Sequence, residues 1–374
     1  MNILHVVNIY FVLPYFIGGQ FKYFKSKGYN MNVACSPSQY LDSYSKEQGF
    51  NYIETPINRS ISIKDDLKSI CKIIKFIKRQ NIDIIVGHTP KGGLLSMIAG
   101  WLSRVPRRIY FRHGLVYETS SGLKRQLLIT VDRLSSFFAT EVICVSKSVL
   151  ERSIQDKLCK PQKQLILGAG TCNGVDTESQ FNPSKINKEN IEILRRKYEI
   201  KNNDFVIGYS GRLVRDKGIE ELITAFDLLE KSENCKLLLV GMFEERDPLS
   251  NEIKERIKCD PQIIYTGLIN SGMENYYSLM DVYVLPSYRE GFPTGVLEAQ
   301  SMGLPVITTR VTGCCDSIVE GVTGLFASHS PKDIAEKIDY IRIRHVIDGD
   351  KGREWVIKNF DSRKVWKEIE KLYQ

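Results

Sequence analysis

Four charged side chains in two short motifs are of the types that could meet an anion and hydroxyl groups together. Glu290 and Glu298 stand eight positions apart in EGFPTGVLEA, and Arg212 and Lys217 stand five apart in GRLVRDKG. Arginine offers phosphate oxygens a planar fork of donors, lysine offers a point charge, and carboxylates accept from hydroxyl groups. Two cations and two carboxylates together suit a ligand carrying both phosphate and hydroxyls, as a nucleotide-sugar does. Arg212 or Lys217 alone reads as an exposed residue in a turn. Their joint placement after a strand tips the reading toward an anion site.

The elements that must position these residues are legible around them. The apolar run DVYVLPS (281–287) reads as a buried parallel strand ending in a turn. Gly291 and Pro293 forbid a smooth continuation, and Pro293 suits the first position of a helix, where no N–H partner is lost. Glu290 then falls on the loop at the strand's carboxyl end, and Glu298 one to two turns into the next helix. A helix start beside that loop adds free N–H groups and a positive dipole end. In YSGRLVRDKGIEELITAF a strand runs into Gly211 and Arg212, and Lys217 with Gly218 opens the next helix.

The first half holds weaker signals. Gly18 and Gly19 in PYFIGGQ follow the first strand, where backbone could approach a phosphate or sugar, although a tight turn explains them equally well. The stretch is not G-x-G-x-x-G, which weakens a dehydrogenase reading. His113 in FRHG and His88 in VGHTPKGG each end a strand; His113 is a site candidate, and His88 is read as structural or supporting.

With 374 residues and 43 % hydrophobic content the chain fills more than one core. No stretch approaches the roughly 20 apolar residues of a membrane span. The start lacks a basic leader and a small-residue cleavage site, so ILHVV reads as a first strand. Nine scattered cysteines without a C-x-x-C pair fit reduced thiols in a cytoplasmic protein, and no metal is expected at them. Residues 1–180 carry 24 Lys and Arg against 13 Asp and Glu, a net of +11, whereas residues 181–374 carry 28 against 31, a net of −3. The clearest basic stripe is Lys64, Lys68, Lys72 and Lys75, opposite Ile70, Ile73, Ile74 and Ile77. A solvated helix face is the bland reading; contact with anionic lipid or a lipid-diphosphate acceptor is its rival. Nucleic acid is not expected, since no basic cluster interleaves with aromatics in a reader motif.

Apolar runs at 3–7, 31–35, 52–55, 83–87, 107–111, 141–145 and 165–167 alternate with helical patterns at 64–80, 91–103 and 122–138. The alternation resumes with runs at 205–211, 236–241, 263–267, 281–287 and 304–309. This is the pattern of parallel sheets built through right-handed crossovers. It predicts an α/β chain of two Rossmann-like doubly wound domains facing a central cleft. The predicted layout is a domain over 1–180, a linker over 181–203, a second domain over 204–357, and a C-terminal helix over 358–374 packing across the domains.

GRLVRDKG followed by EGFPTGVLEA resembles the retaining glycosyltransferases of family 4, which have the GT-B fold, and within them the bacterial capsule, exopolysaccharide and O-antigen sugar transferases. HTPKGGLLSMIAGWLSRVPRRIYFRHG, VICVSKSV, NGVD (173–176) and GLPVITTRVTG with the following Asp316 extend the resemblance over nearly the whole chain. Two departures stand out: Pro293 replaces the last glycine of the usual EGFG, and Cys315 replaces an arginine common before the aspartate.

The resemblance implies an acceptor-side first domain and a nucleotide-sugar-binding second domain. Arg212 and Lys217 would neutralise the donor diphosphate, Glu298 would accept from ribose hydroxyls, and Glu290 would hold the transferred sugar. His113 would orient that sugar, completing a catalytic set of His113, Glu290, Arg212 and Lys217. The donor-binding set would add Gly18, Gly19, Gly267, Leu268, Gly291, Phe292, Pro293, Thr294 and Glu298, with Gly267 and Leu268 flanking the base. The implied reaction moves a sugar, from a UDP-sugar for preference, to a saccharide or polyprenyl-diphosphate-saccharide acceptor, without a cofactor or a metal. The setting would be the cytoplasm, with peripheral contact at the inner face of an anionic membrane. Asp348-Gly349-Asp350 spells the D-x-D of metal-dependent transferases, but its place in a polar turn reads as a helix cap. The alternatives are a nucleotide-sugar 2-epimerase of the same architecture and a non-catalytic binding subunit.

Overall fold

Runs of β-branched residues and leucine, buried on both faces, become the strands of two parallel sheets. The computed structural model describes residues 1–58, 62–229, 234–344 and 346–374. One unit comprises Met1–Gly174 with Arg363–Gln374, and the other Val175–Ser362.

In the first unit the strands are β1 (Asn2–Val6), β2 (Asn30–Cys35), β3 (Asn51–Glu54), β4 (Ile84–Gly87), β5 (Arg107–Arg112), β6 (Glu141–Cys144) and β7 (Gln164–Leu165). They lie in the order β3-β2-β1-β4-β5-β6-β7, with every neighbouring pair parallel. In the second unit β8 (Phe205–Ser210), β9 (Cys235–Val240), β10 (Ile263–Gly267), β11 (Val282–Leu285), β12 (Val306–Thr309) and β13 (Gly324–Ala327) lie in the order β10-β9-β8-β11-β12-β13, again all parallel. Each sheet reverses its winding once, between β1 and β4 and between β8 and β11. In doubly wound sheets ligands bind beyond the carboxyl ends of the strands at that reversal.

Differences from the sequence reading have local causes. β13 went unread because GLFA is a four-residue edge strand between glycine-punctuated turns. The polar stretch expected as a linker, 181–203, carries the helix Lys188–Lys197, capped by Asn187 and lying in the second unit. Ile191, Leu194 and Tyr198 pack it on that unit's core, a helical spacing diluted by charged neighbours. The C-terminal segment breaks at Asp361 into the helices Gly349–Phe360, in the second unit, and Ser362–Tyr373, most of it in the first. In that last helix Val365, Ile369 and Leu372 are buried. Its Trp366 Nε1–H donates to Asn173 O at 3.0 Å, and Glu370 accepts from the Tyr23 hydroxyl at 2.7 Å.

Among the described residues no helix is long and apolar enough to cross a membrane, and all nine cysteines are free thiols.

Candidate functional site

β8 and β11 are neighbours at the second unit's reversal point, so the loops leaving their carboxyl ends meet. After β8 the chain passes Gly211 and Arg212, makes a tight turn over Arg215–Lys217, and enters the helix Ile219–Asp227 through Gly218. Gly218 has φ +69°, and a Cβ there would sit 2.2 Å from Pro286 O. Only glycine lets the Lys217 turn lie flat against the β11 loop.

Lys217 Nζ donates to Glu290 Oε1, and the Ser287 hydroxyl donates to the same oxygen at 2.8 Å. Among the described residues both hydrogen bonds of the Glu290 carboxylate fall on Oε1. The loop is braced by Arg289, whose guanidinium meets Asp216 at 2.7 Å, and by Asp216 N–H, which donates to Asp247 at 2.7 Å. His329 stacks on Tyr288 with ring centres 3.9 Å apart. Arg212 is paired with Glu244 and keeps 41 % of its side chain exposed.

Glu298 lies in the helix Thr294–Ser301. Tyr277 O–H donates to its Oε2 at 2.8 Å; the Tyr277 oxygen also meets Ser210 Oγ at 2.8 Å, and Ser210 Oγ meets Tyr283 Oη at 3.1 Å. Gly295 admits this network, because a Cβ there would lie 2.5 Å from the Tyr283 hydroxyl. Burial pushes the Glu298 carboxyl up to about 7, and Glu274 adds to the rise against the lowering effect of the Tyr277 bond.

Pro293 occupies the N-cap position and the helix starts at Thr294, one residue later than the expected first-turn proline. Gly291 and Pro293 are buried, and Phe292 turns into the unit's core with its ring 5.1 Å from Phe360. The side chain of Phe292 is thus taken up by packing. Gly267 ends β10, its carbonyl accepting from Gly241 N–H at 3.0 Å, with Leu268 exposed beyond it. Asp348 is the N-cap of Gly349–Phe360, accepting from Asp350 N–H at 3.0 Å.

In the first unit the predicted residues divide. A Cβ at Gly18 would lie 2.5 Å from Pro14 O, and one at Gly19 would lie 2.6 Å from the Trp366 ring. The glycine pair is therefore demanded by the chain's own packing. His113 follows β5, stacks on Phe16 at 3.7 Å between ring centres, and through Nε2 meets His88 Nδ1 at 2.8 Å. His88 Nε2 meets His5 Nδ1 at 3.0 Å. Burial pushes the His5 and His113 imidazoles down to about 3 and His88 well below its ordinary value, so all three are neutral. Beneath His113 the buried Arg112 guanidinium meets Asp132 at 2.6 Å, Ser136 at 2.8 Å and Gln164 at 2.6 Å, fixing the end of β5.

Sequence reasoning missed Glu244, Ser210, Tyr277, Tyr283, His5 and Arg112. Ser210 is the last residue of β8 and Arg112 the last of β5, both inside otherwise apolar runs, and a polar side chain closing a buried strand was the available signal. The tyrosines and Glu244 carry no local pattern.

Comparison with known proteins places the whole chain. Residues 190–344 match the family described as glycosyl transferases group 1, and residues 3–146 match glycosyl transferase 4-like. The capsular polysaccharide biosynthesis glycosyltransferase CapM of Staphylococcus aureus is 33 % identical over 378 residues, covering 100 % of this chain and 96 % of CapM. The UDP-Gal:alpha-D-GlcNAc-diphosphoundecaprenol alpha-1,3-galactosyltransferase of Escherichia coli is 28 % identical, covering 79 % of this chain and 75 % of that protein. Among solved structures, Anabaena HepE in complex with UDP and glucose superposes with a TM-score of 0.84 at 18 % identity, over 100 % of this chain and 99 % of HepE. WaaG, involved in lipopolysaccharide biosynthesis, superposes with a TM-score of 0.73 at 16 % identity, over 98 % of each chain. The chain belongs to the group 1, family 4 glycosyltransferases of GT-B fold, and is a glycosyltransferase.

Proposed function

We propose that this enzyme transfers a sugar, with retention of anomeric configuration, from a UDP-sugar to a polyprenyl-diphosphate-linked saccharide in bacterial surface polysaccharide assembly. The observation that carries the reading is the pairing of Lys217 with Glu290 at the carboxyl ends of β8 and β11, with Arg212, paired to Glu244, on the same loop that leaves β8. The donor diphosphate would lie on Arg212 and Lys217, displacing Glu244 from the former. Charge-assisted hydrogen bonds of this kind contribute roughly 1.5–3 kcal/mol each. Glu290 Oε2 would accept a hydroxyl of the transferred sugar, and Glu298 Oε1, opposite the oxygen held by Tyr277, a ribose hydroxyl. The E. coli relative's name supplies the acceptor class, and HepE's UDP and glucose the donor class.

In the proposed step the acceptor oxygen forms a bond to the anomeric carbon on the face from which the diphosphate departs. The bond from that carbon to the phosphate oxygen breaks, and the acceptor's proton passes to that oxygen. The protein's part is to hold both partners and stabilise the charge that develops on the leaving group. With two cations at the diphosphate, the reaction is proposed to run without a metal or other cofactor.

For the acceptor side, the helix Ile63–Gln80 exposes Lys64, Lys68, Lys72 and Lys75, and next to them Ile63 (74 % exposed) and Leu67 (58 %) project into solvent. Basic and apolar groups together suit the surface of an anionic membrane. Flotation with anionic vesicles and not with neutral ones is the expected result; equal binding to both would remove this part of the reading. The enzymatic test incubates UDP-sugars with polyprenyl-diphosphate sugars and reads the product's linkage by NMR. A product with the donor's anomeric configuration is expected, whereas an inverted product, or an epimerised donor in the absence of acceptor, would overturn the assignment.

A further inference from the structure

We propose that Tyr373, acting through His5 and His88, locks His113 as its Nδ1–H tautomer, so that the ring faces substrate as a hydrogen-bond donor. The consequence for substrate rests on the functional reading of His113; the lock itself does not. Four groups of the first unit form one chain of contacts: His113 Nε2 to His88 Nδ1 at 2.8 Å, His88 Nε2 to His5 Nδ1 at 3.0 Å, and His5 Nε2 to the Tyr373 hydroxyl at 3.5 Å. Every imidazole in it is neutral and therefore carries one N–H and one bare nitrogen. Each contact needs one donor and one acceptor, so fixing any one tautomer fixes the others, and two arrangements remain. In the first the protons point toward Tyr373 and His113 holds Nε2–H. In the second they point toward His113, whose Nε2 then accepts and whose proton sits on Nδ1.

The buried end decides between them. Tyr373 is 1 % exposed, and among the described residues its hydroxyl meets only His5 Nε2. In the first arrangement the phenolic proton is left buried without an acceptor; in the second it donates to His5. Stranding a buried donor is costly enough to bias the pair by about tenfold or more. At the other end His113 keeps part of its surface exposed and, among the described residues, its Nδ1 meets no protein hydrogen-bond partner, so this end sets no preference between the two arrangements. The rings are also held in place: His113 lies parallel to Phe16, and His88 stacks near Phe111 at 5.4 Å. The other elements packed on this chain supply Phe16, Phe21, Phe24 and Phe111, which do not titrate, together with Tyr29, whose ring centre lies 6.3 Å from that of Tyr373, and Arg107, whose charge also acts on Tyr373.

A locked Nδ1–H cannot take the acceptor's proton. His113 is then a donor to a substrate oxygen, which agrees with a step in which the departing phosphate receives the proton. His88, His5 and Tyr373 are positioning residues, reaching substrate only through His113.

The test is a long-range 1H–15N correlation spectrum of the full-length protein labelled with [15N]histidine at neutral pH, assigned with His113→Gln and His88→Gln. Protonation at Nδ1 of His5, His88 and His113 is the expected pattern. His113 protonated at Nε2 in the wild type overturns the proposal, and this measurement needs no variant of Tyr373. Tyr373→Phe is expected to move His113 to a mixture or to Nε2–H; an unchanged tautomer in the folded variant also overturns it. If the tautomer moves while turnover, expected to fall about tenfold, stays at the wild-type level, the lock stands and the reading of His113 as a substrate contact falls.

Discussion

Glu298→Gln separates what the buried carboxylate costs the fold from what it gives to binding. Burial raises the Glu298 carboxyl from 4.5 to about 7. Between those values the glutamate of the unfolded chain ionises while the folded one keeps its proton. The folded state therefore binds more protons, and stability falls as pH rises through that window. The full rise corresponds to at most about 3 kcal/mol, and the side chain's partial exposure brings the expectation to about 2 kcal/mol. The groups facing it are Tyr277, which donates to it, Tyr283 and Ser210 behind that tyrosine, and Glu274. Glutamine keeps an oxygen for the Tyr277 hydroxyl and cannot ionise. The variant should match the wild type closely at pH 5 and melt roughly 4–8 °C higher at pH 8 without ligand, by scanning calorimetry. Saturating UDP at pH 8 should narrow or reverse the gap, since ribose hydroxyls donate better to a carboxylate than to an amide. An identical gap at pH 5 and pH 8, or none at either, would show that this carboxylate is not held protonated by burial.

The remaining expectations follow from the same loops. Arg212→Ala, Lys217→Ala and Glu290→Ala should each lower turnover on the order of 100-fold, measured by release of the nucleotide diphosphate. Wild-type rates in all three would dissolve the site. Gly218→Ala forces a Cβ to within 2.2 Å of Pro286 O at φ +69° and should destabilise the second unit by about 2 kcal/mol or more in urea unfolding. If Gly218→Ala is neutral, the β8 and β11 loops are not packed as described. Activity should survive exhaustive chelation of divalent ions; its complete loss, with recovery on adding Mg2+ or Mn2+, would contradict a diphosphate held by Arg212 and Lys217 alone.

The strands were legible because a parallel sheet covered on both faces writes itself as continuous apolar runs, as in DIIVG and DVYVLPS. The helix Lys188–Lys197 was not, since its three packing residues are embedded among Lys, Arg and Glu and look solvated. Lys217 and Glu290 could be placed from turn glycines and strand ends, because the site lies at the edges of regular elements. Their direct pairing, across 73 residues of chain, follows from β8 and β11 being neighbours, which periodicity does not encode. The glycine pair shows the converse: a Cβ at Gly18 would meet Pro14 O, and one at Gly19 would meet Trp366, more than 340 residues away in sequence, a contact no local pattern announces. His5 sits inside the apolar run ILHVV, and only the pairing of β1 with β4 brings it to His88.

The most direct measurement is a crystal structure of the enzyme with UDP. The diphosphate is expected beyond the carboxyl ends of β8 and β11, within hydrogen-bond distance of the Arg212 guanidinium and Lys217 Nζ, with ribose hydroxyls on Glu298. UDP bound elsewhere, with Arg212 still on Glu244 and Lys217 still on Glu290, would contradict the account.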